Sequence, residues 1–411
     1  MKITSKWAVV VFYNYFNNNR KIMKRPILAL IPSAYKKGVI FSKVYSILPV
    51  NGDGDFDLIR SSYGTRVQEN GLIENKTNNV PRLDWLNSDC PSLLLEPQRT
   101  NYAIYSNDAS QWTNIGGSQS ITKTQNYSIA PNGEQTATRL QATATGSGYS
   151  LIQLSTSSFT GNYSGSVYLK SNTGNTQNVI VYGRNTPVNS YPIGNEWQRI
   201  EIQGSGISGQ NLYLFLGSFP NNGSDESIDV SVWGGQLEQG VYSTSLIYTE
   251  GSSVTRSEDW YVRTILSGQT QFDKNKGVVF IDVNPFEFNV AQTSSISLQD
   301  GAYSMLSFNF KQNNILEFFI NNAPAPGAVS YDYSHSGGRI KAAIGWSNGS
   351  YRLFANGQLL NSYSTSIEFY QLDRFEFNSY FGTNDFFGKI YSVQVFDELL
   401  SDAEIKNMTE L

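Results

Sequence analysis

The 411-residue chain carries one histidine, His335, and one cysteine, Cys90. A single imidazole excludes a multi-histidine metal site and argues against a Ser-His-Asp hydrolase. His335 lies in Tyr331-Asp332-Tyr333-Ser334-His335-Ser336-Gly337-Gly338, a loop by composition, where a solvated ring is expected. Cys90 cannot form a disulfide within the chain, and its only histidine is 245 positions away, so it lacks the base that a thiolate nucleophile needs. Packing is the role expected for it. Glycosidic hydrolysis needs two carboxylates facing one bond, about 5–5.5 or 6.5–9.5 Å apart. Asp373-Arg374-Phe375-Glu376 comes nearest, but an offset of three residues sends its two acids to opposite faces of a strand. Asn51-Gly52-Asp53-Gly54-Asp55 has the look of a calcium loop without the spacing or the flanking helices, and reads as a tight turn. Gly204-Ser205-Gly206 and Gly337-Gly338 read as turns, since no Lys-Ser/Thr follows to cradle a phosphate. No metal and no cofactor is expected.

What remains is non-covalent chemistry. An exposed aromatic ring stacks on the apolar face of a sugar, while Asn, Asp and Gln bond its hydroxyls. Trp112, Tyr149, Tyr182, Trp197, Tyr331, Tyr333 and Trp346 are the candidates; Trp233, flanked by apolar strand residues, is assigned to a core.

Strands must position these rings. Ser166–Lys170, Val179–Tyr182, Gln198–Ile202, Leu212–Leu216 and Val230–Trp233 are short apolar runs between Gly-, Asn-, Ser- and Pro-containing spacers. Val278–Val283, Met305–Phe310, Ile315–Ile320, Tyr351–Ala355 and Lys389–Phe396 continue the style, with Asn348-Gly349 and Asn356-Gly357 as hairpin turns. Only Ser401–Met408 has a helical pattern, with Ser401 and Glu404 spaced as a capping box. The pattern predicts an all-β chain of tandem antiparallel β-sandwiches (jelly rolls) after an extended N-terminal arm. Four pieces are expected: a basic arm, 1–50; a connector, 51–100; and two sandwiches, 101–256 and 257–411.

Nine of the 30 basic residues and none of the 34 acidic ones fall within 1–50, which leaves the rest of the chain at −13. The arm is therefore expected to meet an acidic partner surface, nucleic acid or anionic lipid, or else to be a solvated leader; on the first reading Lys2, Lys6, Trp7, Arg20, Lys21, Lys24 and Arg25 are the attachment residues. Sequence-specific nucleic-acid binding by the acidic body is disfavoured. The longest strongly apolar run, Trp7–Tyr13, is far short of a membrane span, and no secretory signal is evident. Met23-Lys24-Arg25-Pro26 has the look of a second start, which would make residues 1–22 an extension.

Three stretches carry a resemblance. Arg60-Ser61-Ser62-Tyr63-Gly64-Thr65-Arg66, Asn70-Gly71-Leu72-Ile73-Glu74, Pro81-Arg82-Leu83-Asp84 and Leu94-Leu95-Glu96-Pro97-Gln98-Arg99-Thr100-Asn101 resemble, in order and spacing, the connector of tailed-phage virion proteins; Gly64 replaces the usual Ala. Trp233-Gly234-Gly235-Gln236-Leu237-Glu238 through Tyr248, then Val254-Thr255-Arg256, is similar to the closing strand of a jelly roll in the same proteins, one akin to carbohydrate-binding modules. Asn348–Gly357, Phe387–Phe396 and Leu400–Ile405 resemble a laminin-G-like, concanavalin-type lectin sandwich. Lectin-fold glucanases carry E-x-D-x-E or a relative of it on one strand, and no such string occurs here.

The resemblance implies a non-enzymatic phage head or tail fibre. It would be anchored by its N-terminus to other virion proteins (capsid, portal-proximal or tail) and displayed outside the particle. It would be a homo-oligomer, with a trimer the first expectation, holding host-surface polysaccharide through many weak contacts. The alternatives are a virion-attached polysaccharide-degrading enzyme and a cell-surface adhesin.

Overall fold

The computed structural model describes residues 26–32, 43–44, 56–116, 120–264, 272–286, 293–300, 304–322, 328–365, 369, 371–378 and 384–411. The attachment residues Lys2 to Arg25 and the Asn51–Asp55 turn lie outside them. The chain is all-β, in antiparallel layers, and divides into two compact units. Unit 1 is 1–61, 78–96 and 259–411; unit 2 is 62–77 and 97–258. The stretch 51–100 is thus shared between them, and the chain passes from one to the other four times.

Unit 2 is built on two long antiparallel strands, Ser150–Ser171 and Gln198–Ser218. Each belongs to two layers. Their outer halves pair with Thr113–Gly116 on one side and Gln177–Gly183 then Asn189–Ile193 on the other. Their inner halves join Ser227–Gln239, Ala137–Thr143 and Ser120–Ser128. The register shifts between Ser155 and Tyr163, where the pair bends from one layer to the next, as bulges permit. Gln198–Ile202 and Leu212–Leu216 are therefore one strand rather than two. Gly206 and Gly209, at φ +69° and +58°, let the polar stretch between them bend without closing a turn. Leu140, Leu154, Val167, Leu169, Val181, Leu214 and Val232 fill the space between the layers. The hairpin Gly64–Val67/Ile73–Lys76 puts Ile73 and Val67 on the far side of the second layer, against Trp233 and Leu246.

Unit 1 is a second sandwich. One layer runs Gln358–Ser364, Ser350–Ala355, Ile340–Ser347, Lys276–Pro285, Gly388–Phe396, Ser92–Leu95, Leu83–Asp84, with Leu28–Leu30 also on Gly388–Phe396. The other runs Lys43–Val44, Phe56–Ile59, Trp260–Thr264, Arg374–Glu376, Ser294–Gln299, Ser304–Lys311, Ile315–Asn322, Val329–Ser334. Strict alternation sends Leu306, Phe308, Phe310, Leu316, Phe318 and Ile320 inward, each worth about 1.5–3 kcal/mol on full burial. The run Val278–Val283 is apolar on both sides because both sides are covered. Val279 and Ile281 face the other layer, whereas Val278 and Phe280 face Ile405 of the helix Asp402–Thr409. That helix starts at the expected capping box: Ser401 Oγ accepts from the Glu404 N–H (3.3 Å) and the Ser401 N–H donates to Glu404 Oε2 (2.7 Å). Asn348-Gly349 and Asn356-Gly357 have positive φ at both residues, as two-residue hairpin loops require.

Candidate functional site

In unit 2 the strand Gln198–Ser218 buries Leu212, Leu214 and Leu216, so Tyr213 and Phe215 must point to the opposite, outward face. Register places Phe215 beside Tyr182 on one neighbour and Gln153 on the other. The rings of Tyr182 and Phe215 stack, 4.9 Å apart and 25° from parallel, and Tyr213 lies 5.0 Å from Phe215. Phe219 follows the strand and packs 5.5 Å from Tyr149, which is 40% exposed. At the other end the Arg184 guanidinium lies 4.5 Å over Tyr213, held by Asn211 O (2.8 Å) and Gln210 Oε1 (2.5 Å). Gly217 is the flat spot in this face. A Cβ there would meet Ser150 O at 2.2 Å, so two strands can close up beneath the rings. Burial pushes the Tyr182 phenol above its usual range, with Tyr149 adding to the shift. The Tyr182 phenol therefore stays neutral at physiological pH, and the face is a half-buried aromatic platform with polar borders.

Two of the seven aromatic candidates, Tyr149 and Tyr182, meet here. The others do not. Trp112 is 4% exposed, its indole N–H bonded to Tyr105 O (3.1 Å) and its ring pressed on Gly235. Trp346, in unit 1, is 2% exposed, bonded to Asp273 O (3.0 Å) and pressed on Gly277. Neither can offer a ring face to a ligand, which corrects both assignments: each ring fills the space over a glycine. Trp197 is half-buried, its N–H on Ile129 O (3.1 Å) and Lys170 5.3 Å over its ring. Tyr331 and Tyr333 lean against the core of unit 1 from its edge strand. Trp233 is fully buried, as assigned. Phe215, Phe219, Tyr213 and Arg184 escaped sequence reading. For Tyr213 and Phe215 the signal was their place in the outward register of the alternating run Leu212–Leu216; Phe219 and Arg184 carried none. Cys90 is exposed rather than packed, because it sits in the turn that precedes Ser92–Leu95. His335 is half-buried rather than solvated, folded back on the Asn314 turn.

The outward face of the second layer in unit 1 is of another kind. Cross-strand register lines up Ser295, Asn309, Glu317 and Asp332, and beside them Glu376, Ser297 and Ser307. These groups bond one another. Ser295 Oγ (2.8 Å) and Ser307 Oγ (2.5 Å) donate to Asn309 Oδ1, Asn309 Nδ2 donates to Glu317 Oε2 (2.8 Å), and Lys311 joins Glu317 (2.8 Å) to Asp332 (3.1 Å). Glu317 and Glu376 are the two glutamates of this face. They stand three strand spacings apart, about 14 Å, beyond the reach of a glycosidase pair, and the nearer pair, Glu317 and Asp332, is bridged by Lys311. Among the described residues no cluster of three His, Cys, Asp or Glu is placed to hold a metal ion, and no helix is long and apolar enough to cross a membrane.

Several of the motif residues of 60–101 turn inward, while Ser61, Tyr63, Asn70 and Gln98 stay exposed. In unit 1, Arg60 Nη1 donates to Asp259 Oδ1 (2.7 Å), and Arg82 reaches both Asp259 and Glu96 (2.5 Å), all four buried. Burial would lower the Arg82 pKa, but Asp259 and Glu96 outweigh it and hold the guanidinium above its usual range. In unit 2 the buried Asn101 bonds Ile247 O (2.9 Å) and the Leu237 N–H (3.0 Å), and Arg256 bonds Pro97 O (2.9 Å) and Ser245 Oγ (3.0 Å). Nearby Glu238 is enclosed by the Thr244 N–H (2.6 Å), Thr244 Oγ1 (2.7 Å) and Gln236 Nε2 (2.8 Å); burial raises its pKa despite these donors.

No protein-family model and no curated protein matches this chain. Among solved structures it is similar to the CBM40 of the Ruminococcus gnavus IT-sialidase, at 18% identity over 34% of this chain and 85% of that one, TM-score 0.30. It is also similar to domain 4 of AbnA, a GH43 extracellular arabinanase from Geobacillus stearothermophilus, at 12% identity over 42% and 84%, TM-score 0.30. Mouse laminin α1 chain domains LG4-5 match at 9% identity over 59% and 86%, TM-score 0.24.

Proposed function

We propose that this chain binds carbohydrate through the aromatic face of unit 2, without catalysis, as an outward projection of a phage particle. The observation that carries the binding reading is the platform itself. Three neighbouring half-buried rings, Tyr182, Phe215 and Tyr213, share one sheet face, with Arg184 over Tyr213, and Tyr149 and Phe219 extend them. Gln153 in the cross-strand register and Arg184 at the end are placed to bond hydroxyls. A ring that costs little to fix and offers apolar area suits the flat C–H face of a pyranose. Each site would be weak, and several copies on one particle would supply avidity.

The virion setting rests on the resemblance of 60–101 and 233–256. Since the charged motif residues Arg60, Arg82 and Glu96 are spent on buried pairs, attachment is assigned to the basic arm, Lys2 to Arg25. A glycan array that includes sialylated and arabinan oligosaccharides should give at least one hit. Tyr182→Ala should weaken that hit at least ten-fold, roughly the 1.4 kcal/mol of a buried ring contact. An unchanged affinity would sink the platform reading. Immunogold labelling of particles with antibody to 257–411 tests the setting separately, and absence of label would remove the virion reading alone.

A further inference from the structure

A second concavity lies in unit 1, well away in sequence from the platform residues. Its volume is about 220 Å³, and Phe286, Phe310 and Ile315 supply its apolar wall. Facing them are the carboxamide residues Gln312, Asn313 and Asn314, on the hairpin between Ser304–Lys311 and Ile315–Asn322, and the imidazole of His335. We propose that this pocket is a second binding site, for one neutral, hydroxyl-rich ring such as a single hexose.

Four observations lead there. The first is preorganisation. Asn313 and Asn314 both hold positive φ, +61° and +55°, and the His335 N–H donates to Asn314 O (3.0 Å), so the two loops are tied together before any ligand arrives. The second is the proton on His335. Its Nδ1 accepts from the Gly337 N–H (3.2 Å), which places the ring proton on Nε2 as a donor. The third is charge. Among the described lining residues Lys311 is the one charged side chain, and it is already bound to Glu317 (2.8 Å) and Asp332 (3.1 Å). Burial also lowers the His335 pKa, favouring the neutral ring. A charged ligand would find no counter-charge, whereas carboxamides and a neutral imidazole give the paired donors and acceptors that hydroxyls need. The fourth is size: the volume falls below the roughly 300 Å³ at which drug-sized sites begin, which suits one ring rather than a chain. Gly338, at φ +72°, leaves the space beside it open.

The chain's single histidine makes the test direct, since its ring resonances need no assignment. The full chain, labelled at histidine, is titrated with D-glucose, D-galactose and D-mannose, each alone. At least one should move the His335 ring signals saturably. The same shift should persist in Tyr182→Ala/Phe215→Ala, whose platform is disabled. Asn313→Gly, which keeps the positive φ and removes the carboxamide, should weaken that hexose about 5-fold, the effect of one lost hydrogen bond. No shift with any hexose would overturn the proposal, as would a shift that vanishes with the platform or an Asn313→Gly curve that overlays the wild type. Failure here would leave the platform reading untouched, because the two sites share no residue.

Discussion

The two units fold on one plan and finish their outward faces differently. In unit 2 the outward register of Leu212–Leu216 carries Tyr213 and Phe215, and neighbouring strands add Tyr182 and Gln153. In unit 1 the corresponding register carries Ser295, Ser307, Asn309 and Glu317. The inner faces of both are Leu, Ile, Val and Phe. Burial fixes the inner register, because a polar group there costs more than a sheet can return. The outer register meets that constraint by pairing its polar groups, as at the buried Ser295 and Ser307, and elsewhere can take binding chemistry. The two outer faces also differ in what they leave over. Aromatic rings cannot satisfy one another's capacity for stacking at every face, so the platform remains available to a ligand. The Ser-Asn-Glu-Lys ladder closes its hydrogen bonds on itself and offers little to a guest.

Buried polar networks divide the units in the same way. Unit 1 bonds Arg60 and Arg82 directly to Asp259 and Glu96, whereas unit 2 bonds Glu238 to neutral donors from Thr244 and Gln236 and keeps the buried Arg256 one step away, on Thr244. Arg82→Met should be the most damaging change, costing about 3–5 kcal/mol in urea unfolding, because it removes the buried guanidinium that Glu96 and Asp259 share and leaves Arg60 as the remaining cation on Asp259. Glu238→Gln should cost about 1 kcal/mol or less, since a carboxamide can keep the Thr244 and Gln236 contacts and relieves a carboxyl that burial already disfavours as an anion. Equal losses from the two would erase the contrast.

A smaller effect separates buried from half-exposed charge. Asp229 accepts from Arg139 Nε (2.9 Å), Asn172 (2.9 Å) and Gln141 (3.2 Å), and the Arg139 bond above all holds its carboxyl below the usual range. A carboxyl lowered on folding adds stability above its unfolded pKa, about 3.9, and loses it as pH falls through the folded value. Asp229→Asn should therefore melt earlier than wild type near neutrality, and the two curves should converge below about pH 4. A gap that is constant with pH would mean that Asp229 acts through shape rather than charge. Least affected of all should be glycan affinity after Ser307→Ala or Asn309→Ala: the platform's array hit should bind within about two-fold of wild type, well under the 1.4 kcal/mol of a tenfold change. A tenfold loss would make the polar ladder a ligand face and end the distinction between the two.

Local features were legible. The hairpins at Asn348-Gly349 and Asn356-Gly357, the Ser401/Glu404 capping box, and the buried runs at Val278 and Val230 follow from side-chain period and backbone sterics within a few residues. Exposure was not legible. Trp112 and Trp346 have polar neighbours in sequence, yet each closes over a glycine more than 65 positions away, Gly235 and Gly277. The bend of Gln198–Ser218 was hidden too, because Gly206 and Gly209 permit either a turn or a bulge and only the opposing strand chooses.

By itself, then, the sequence determined that the chain would be β, where its strands alternate, which residues must face inward, and that covalent catalysis had few residues to draw on. Those are consequences of short-range geometry and composition. Tertiary structure alone decided which aromatics meet. Tyr149, Tyr182 and Phe215 come from three segments, and only strand register sets two rings 4.9 Å apart. It likewise decided that Arg60 would find Asp259 across 199 positions. Charges and rings carry no address in the sequence. The pairing of distant strands supplies it, by excluding water from between them and leaving each buried charge the partner that lies within reach.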